Sequence, residues 1–204
     1  MALRRGTMEL DSTLFQLARR LLRLDFVQAD DRAVDIDAGL VEVVGYCPTV
    51  AFSGLIRLSA PRLTDLLNRS DEVELHDVVI QRLADDRVLD TNQARLPLSE
   101  LLAVRAGPPR GDPARRRPTR KTAVAGVTGP YGFHGYLHTR PGADPALDVA
   151  RRPPMIPLTD ARMRHMGRAD MRAVEAATLI VNRTAARWIR PARDGDASLS
   201  WRID

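Results

Sequence analysis

His134 and His138 stand four residues apart, a spacing that on a helix sets two imidazoles on one face for a metal ion. Phe133 to Thr139 reads as a strand instead, and strand residues four apart are separated by about 13 Å, too far for one ion to bridge. His76 and His165 fall in other segments, and no glutamate or third ligand is near. No metal or other cofactor is therefore expected. Nucleophilic catalysis needs Ser, Cys or Thr beside a base and an oxyanion donor. The chain has no Gly-x-Ser-x-Gly elbow, and Ser70-Asp71 and Ser99-Glu100 read as turn or cap residues. Gly126-Val127-Thr128-Gly129 is too short for a phosphate loop and lacks the Lys-Ser or Lys-Thr that follows one. Asp77 and Asp160 occupy matching places in two similar stretches. Paired carboxylates serve acid–base chemistry, but an aspartate repeated in this way commonly fixes a turn or bulge. No enzyme is expected.

The strongest binding signal is basic. Arg110, Arg115, Arg116, Arg117, Arg120 and Lys121 stand against the single acid Asp112 between residues 107 and 129. That segment's excess equals the +5 of the whole chain, so the remainder is formally neutral. Such a cluster neutralises phosphates and gives salt-sensitive binding of nucleic acid. Small β-barrels bind single strands by stacking bases on exposed aromatics, and Phe52, Tyr131, Phe133 and Tyr136 are the candidates, with Phe52 and Phe133 equally readable as core. The alternative is a solvated linker. Lys121 is the only lysine, and a bias of this kind toward arginine also follows from a GC-rich genome.

The elements that position these residues follow from pattern. Apolar residues Leu10, Leu14, Leu17, Ala18, Leu21, Leu22 and Leu24 recur at spacings of three and four, which predicts an amphipathic helix within 1–29. Val34 and Ile36 alternate with aspartates, and Leu40 to Tyr46 is rich in β-branched residues, giving two strands with a turn near Ala38-Gly39. Residues 107–129 carry four prolines and four glycines and read as a linker with no room for a helix or central strand. Residues 192–204 form a tail, with Trp188 and Trp201 as anchors. Aromatics are only 4% of the chain, so the core rests on Leu, Val, Ile and Ala.

The chain also repeats itself. Phe52-Ser53-Gly54-Leu55-Ile56 matches Phe133-His134-Gly135-Tyr136-Leu137, and Val73 to Ile80 matches Ile156 to Met163. Leu96 to Val104 matches Leu179 to Ile189 within a residue or two. The expected organisation is residues 1–48 as a helix and strand pair, 49–106 as a first β unit, the basic linker over 107–129, a second unit over 130–191, and the tail. The fold class is mainly β, with two tandem small barrel-like units of Sm or SH3 type plus the N-terminal amphipathic helix. Units of ~60 residues are marginal alone, so packing together or dimerisation is expected.

Leu63-Thr64-Asp65-Leu66-Leu67-Asn68-Arg69-Ser70, Ile156-Pro157-Leu158-Thr159-Asp160-Ala161 and Val181-Asn182-Arg183 together resemble an uncharacterised family of small bacterial β-rich domains. The family pattern is split between the two stretches here. Arg151-Arg152-Pro153-Pro154 replaces the Asn-x-Ser part in the second, and Glu74 and His76 replace Pro and Thr in the first. The resemblance implies a small β fold and no particular activity.

One cysteine, Cys47, excludes an internal disulfide and fits a reducing compartment. No run approaches the ~20 apolar residues of a membrane span, and the basic start lacks a clean apolar segment and cleavage site. The expected protein is cytoplasmic and away from membranes. It is expected to act as a non-enzymatic scaffold or regulatory module that binds a protein partner or itself through sheet edges and the N-terminal helix, or else as a binder of single-stranded nucleic acid.

Overall fold

The computed structural model describes residues 39–106 and 119–198. The helix expected within 1–29, the strand around Val34 and Ile36, and Trp201 lie outside them. Among the described residues ten strands form one antiparallel sheet: β1 (Leu40–Tyr46), β2 (Val50–Arg57), β3 (Glu72–Arg82), β4 (Val88–Pro97), β5 (Ala103–Ala106), β6 (Arg120–Thr128), β7 (Tyr131–Thr139), β8 (Met155–His165), β9 (Val174–Asn182) and β10 (Ala186–Pro191). Helix α1 (Leu63–Leu67) joins β2 to β3, and α2 (Pro145–Arg151) joins β7 to β8. The spatial order is β10-β6-β7-β8-β9-β5-β1-β2-β3-β4. The five-strand runs β1–β5 and β6–β10 thus follow one pairing scheme, fifth-first-second-third-fourth. They meet at β5 and β9, where Ala103, Val104 and Arg105 pair with Val181, Ile180 and Leu179.

The mainly β fold follows from the sequence pattern, and the linker is corrected. Arg120–Thr128 of the expected linker is an interior strand between β10 and β7. Gly126 interrupts no pairing there. It faces its cross-strand partner Phe133, whose ring fills the space a side chain needs. Gly45 and Phe52 do the same across β1 and β2. Each run therefore begins one strand earlier than residues 49 and 130. Among the described residues no rung joins β4 to β5 or β9 to β10, so neither run closes into a barrel by hydrogen bonding.

Each run nevertheless curls. Leu96 of β4 and Val104 of β5, at opposite ends of the first run, share one core with Val43, Phe52, Leu75 and Ile80. A second core gathers Val124, Phe133, Leu137, Leu158, Met163 and Leu179. The cores cross the junction: Met155 and Ile180 belong to the first, and Tyr46, Leu83, Leu102 and Ala103 to the second.

The bend has a visible cause in β3 and β8. Val73 and Leu75 point inward, then Val78 and Ile80, so the two-residue alternation slips by one at Asp77. In β8 it slips at Asp160 between Leu158 and Ala161. Both aspartates are left-handed, with φ of 48° and 47°, and each faces a register shift in the neighbouring strand at Gly54 or Gly135. Aspartate tolerates this backbone better than most residues, though glycine does so without penalty. Asp77→Gly is expected to be neutral or to stabilise by up to ~1 kcal/mol, and Asp77→Val to destabilise by ~1–2 kcal/mol, measured by urea unfolding.

Pro157 sits inside β8, where proline is normally excluded. Met155's N–H and C=O both bond the Asn68 side chain, at 2.9 Å each, so they point away from β9. Residue 157 directs its backbone to the same side. There β7 no longer pairs, its last rung being Tyr136 with Thr159, so the missing N–H breaks no ladder.

Candidate interaction surfaces

The sequence-predicted basic site is divided. Arg110, Arg115, Arg116 and Arg117 lie outside the described residues. Arg120 and Lys121 open β6 and are exposed. Lys121 Nζ is 3.0 Å from Asp160 and 5.7 Å from the centre of the Tyr136 ring. With both charges well exposed, this ion pair contributes little to stability.

The aromatics are sorted by strand alternation. Tyr131 and Phe133 of β7 and Phe52 of β2 are buried. They are core, which removes Tyr131, Phe133 and Phe52 as base-stacking platforms. His134, Tyr136 and His138 alternate with these and form an outer row, half-buried. His134 and Tyr136 meet edge-on at 6.1 Å, and His134 pairs in register with the exposed Arg162 of β8. His138 is held at both nitrogens, Nδ1 by Thr119 at 2.9 Å and Nε2 by Thr159 at 3.0 Å. Among the described residues no group of three metal-ligating side chains forms.

A shallow depression of about 330 Å³ lies between α1 and β3, lined by Leu66, Ser70, Glu72 and His76 among others. His76 Nε2 is 3.5 Å from Glu74, and among the described residues no nucleophile–base–donor set converges there. Ser99-Glu100 belongs to a turn closed by the Glu100 N–H to Pro97 carbonyl bond.

Side-chain hydrogen bonds tie the two runs together at their junction. Asn182, 3% exposed, donates through Nδ2 to the Leu101 carbonyl at 3.0 Å and the Leu98 carbonyl at 3.4 Å. Its Oδ1 accepts from the N–H and hydroxyl of Thr184. Arg168, after β8, reaches the Leu83 carbonyl at 2.5 Å and Asp86 at 2.9 Å in the β3–β4 turn. Its partners Asp170 and Asp86 hold the guanidinium firmly protonated. Sequence reasoning gave none of these a role, because the contacts that cross the junction join residues about 80 positions apart.

Tyr46 and Tyr131 stack edge-on at 5.6 Å in the same junction, beside buried Cys47. Burial, reinforced by Glu100, pushes the Cys47 thiol up to about 12. Burial also raises the Tyr131 phenol, aided by Tyr46 and Cys47, and raises that of Tyr46 against the opposing pull of Arg105. Groups raised in the folded state contribute stability below their unfolded values, 9.0 for the thiol and 10.0 for the phenols, and lose it as pH rises toward the folded ones. The midpoint of thermal unfolding is expected to fall steeply above pH ~9. Cys47→Ala, which removes the lowest of these titrations, should move the onset to higher pH.

Among the described residues the outer strands of the sheet are β4 and β10, and α2 packs against β10. Val88 of β4 is 52% exposed; Asp90 and Asn92 alternate outward with it, and Arg95 is outward after a one-residue slip in that alternation. β10 carries Trp188, half-buried, with the Arg190 guanidinium 4.9 Å from its ring. Comparison with family models, with curated proteins and with solved structures gives no match, so these surfaces are read from their own chemistry.

Proposed function

We propose that this protein is a non-enzymatic scaffold, made of two copies of one small curled β unit, that binds a protein partner by strand addition at its sheet edges. One observation carries the reading: the chain already joins its own two runs in this way, through the β5–β9 rungs. The same scheme leaves β4 and β10 as outer strands, and a peptide in extended form adds to such an edge through main-chain hydrogen bonds. The reading is supported by the pairing scheme the two runs share and by two hydrophobic cores, one centred on each run and each reaching across the junction.

The test is a photo-reactive residue at Asn92 of β4 or at Arg187 of β10 in the full chain, inside the cell that makes it, with Asp65 on α1 as the control. A discrete adduct at either edge and none at Asp65 supports the reading. No adduct at either edge contradicts it.

A second reading, binding of single-stranded RNA, is favoured by the outer row of β7. Tyr136 is the one half-exposed aromatic of that strand, flanked by Lys121 and in line with His134 and Arg162. It predicts salt-dependent retention of a labelled single strand that weakens in Tyr136→Ala and is lost when Arg115, Arg116 and Arg117 become alanine.

A further inference from the structure

The two outer strands are the counterparts of the two that join the runs. Gly45 pairs with Val104 and Gly126 with Ile189, so Val104 of β5 and Ile189 of β10 hold one position in the two runs. Beyond the bulge, Val78 pairs with Thr91 and Ala161 with Ala176. Counting on from those rungs, Ala94, Arg95 and Leu96 of β4 hold the positions of Leu179, Ile180 and Val181 of β9. The strand that β5 accepts and the strand that β4 offers are therefore one strand of the scheme.

We infer that the partner at these edges is a second copy of the chain, joined head to tail, β10 of one to β4 of the next, with Ile189 opposite Arg95 and Trp188 opposite Leu96. This rests on the edge-binding reading above and names its partner. Such a contact uses two different patches, so it repeats and either closes into a ring or continues as a filament.

The sequence also sets the strength of the joint. Inside the chain Ile180 is 1% exposed and packs into the first run's core, and Asn182 bonds two carbonyls across the junction. At the outer edge Arg95 stands in place of Ile180 and Pro97 in place of Asn182. A charge directed at the partner and a proline are devices that blunt an edge. Arg95 can lay its stem along Ile189 and keep its head in water. The joint between copies is thus weaker than the joint within one, and it forms and breaks with concentration.

Sedimentation velocity on the full chain tests this. The wild type is expected to grow beyond the 22.6 kDa species as concentration rises. Arg95 is exposed, so its replacement leaves the fold intact. Arg95→Ile should bring association to at least tenfold lower concentration, and Arg95→Asp, whose short charged side chain cannot reach water, should weaken it by a similar factor. A wild type that stays monomeric up to about 1 mM, or three proteins that associate alike, overturns the inference. The cross-link at Asn92 separates this from the broader reading. An adduct at twice the chain mass that maps to β10 supports self-assembly. An adduct with a different protein leaves the edge-binding reading standing and overturns the second copy as partner, as does a link within one chain.

Discussion

Gly45→Ala is expected to destabilise the protein by about 2–3 kcal/mol in urea unfolding, and Phe52→Leu to remove most of that loss. A methyl group at Gly45 falls 2.0 Å from Cζ of Phe52, and its three nearest neighbours all belong to that ring. The ring is buried in the core that also holds Val43, Ile80 and Val104, so it cannot swing aside without moving that core. Leucine is shorter and vacates the space. The double variant should therefore cost little more than Phe52→Leu alone. The companion pair behaves differently. A methyl at Gly126 falls 2.3 Å from Cζ of Phe133 but also 2.8 Å from the Trp188 carbonyl oxygen, which is backbone. Phe133→Leu should fail to rescue Gly126→Ala. A rescue in both pairs, or in neither, contradicts the geometry.

Asn182→Ala is expected to cost ~2–3 kcal/mol, because it leaves the buried Leu101 carbonyl without its donor. Asn182→Asp should cost more at pH 7. It keeps the shape, but it sets a carboxylate against two carbonyl oxygens at a position 3% exposed. The burial and the facing carbonyls raise that carboxyl's pKa above its unfolded value. Its protonated form has one O–H and restores one of the two bonds the amide donated. The stability of Asn182→Asp should therefore rise as pH falls below ~5, toward that of the parent, while Asn182→Ala shows no such recovery. Thermal unfolding of the three proteins between pH 4 and pH 8 reads this directly. Equal pH profiles for the two variants would show that Asn182 is not the clamp between the runs.

The strands of this fold were legible wherever one face is buried. Val73, Leu75, Val78 and Ile80 show inward alternation, and Asp77 marks the slip in it, so a turn or bulge at the matched aspartates could be expected from sequence. Gly54 and Gly135 could likewise be placed against a close neighbour. The first strand of the first run, Leu40–Tyr46, was legible from its β-branched residues, though not as part of the repeat, whereas the first strand of the second run was not legible. β6 begins with Arg120 and Lys121 and holds Gly126, and it follows a stretch dense in proline, so local signals argue for a linker. Long-range packing decides otherwise, since Phe133 covers Gly126 and β10 and β7 flank the strand. β1 and β6 also share few side chains beyond the glycine, because only the ring opposite it is constrained.

The interaction surfaces were less legible still. The basic cluster was read from charge alone, and of its members only Arg120 and Lys121 fall on described strand, where Lys121 faces Asp160 and Tyr136. Tyr131 was read as a platform because its type suits one. Its position in β7 puts it in the core instead. The sheet edges could be named as a kind of surface from a β-rich sequence, but which strands they are depends on the β5–β9 pairing, which joins residues more than 70 positions apart.

Amide hydrogen exchange of the full chain at low and at high protein concentration tests the central claim most directly. The account predicts strong protection at Ala103–Arg105 and Leu179–Val181 under both conditions, because those rungs fuse the runs, and protection at β4 and β10 that rises only at high concentration. Exchange at residues 103–105 as fast as in the turns, or outer strands indifferent to concentration, would contradict it.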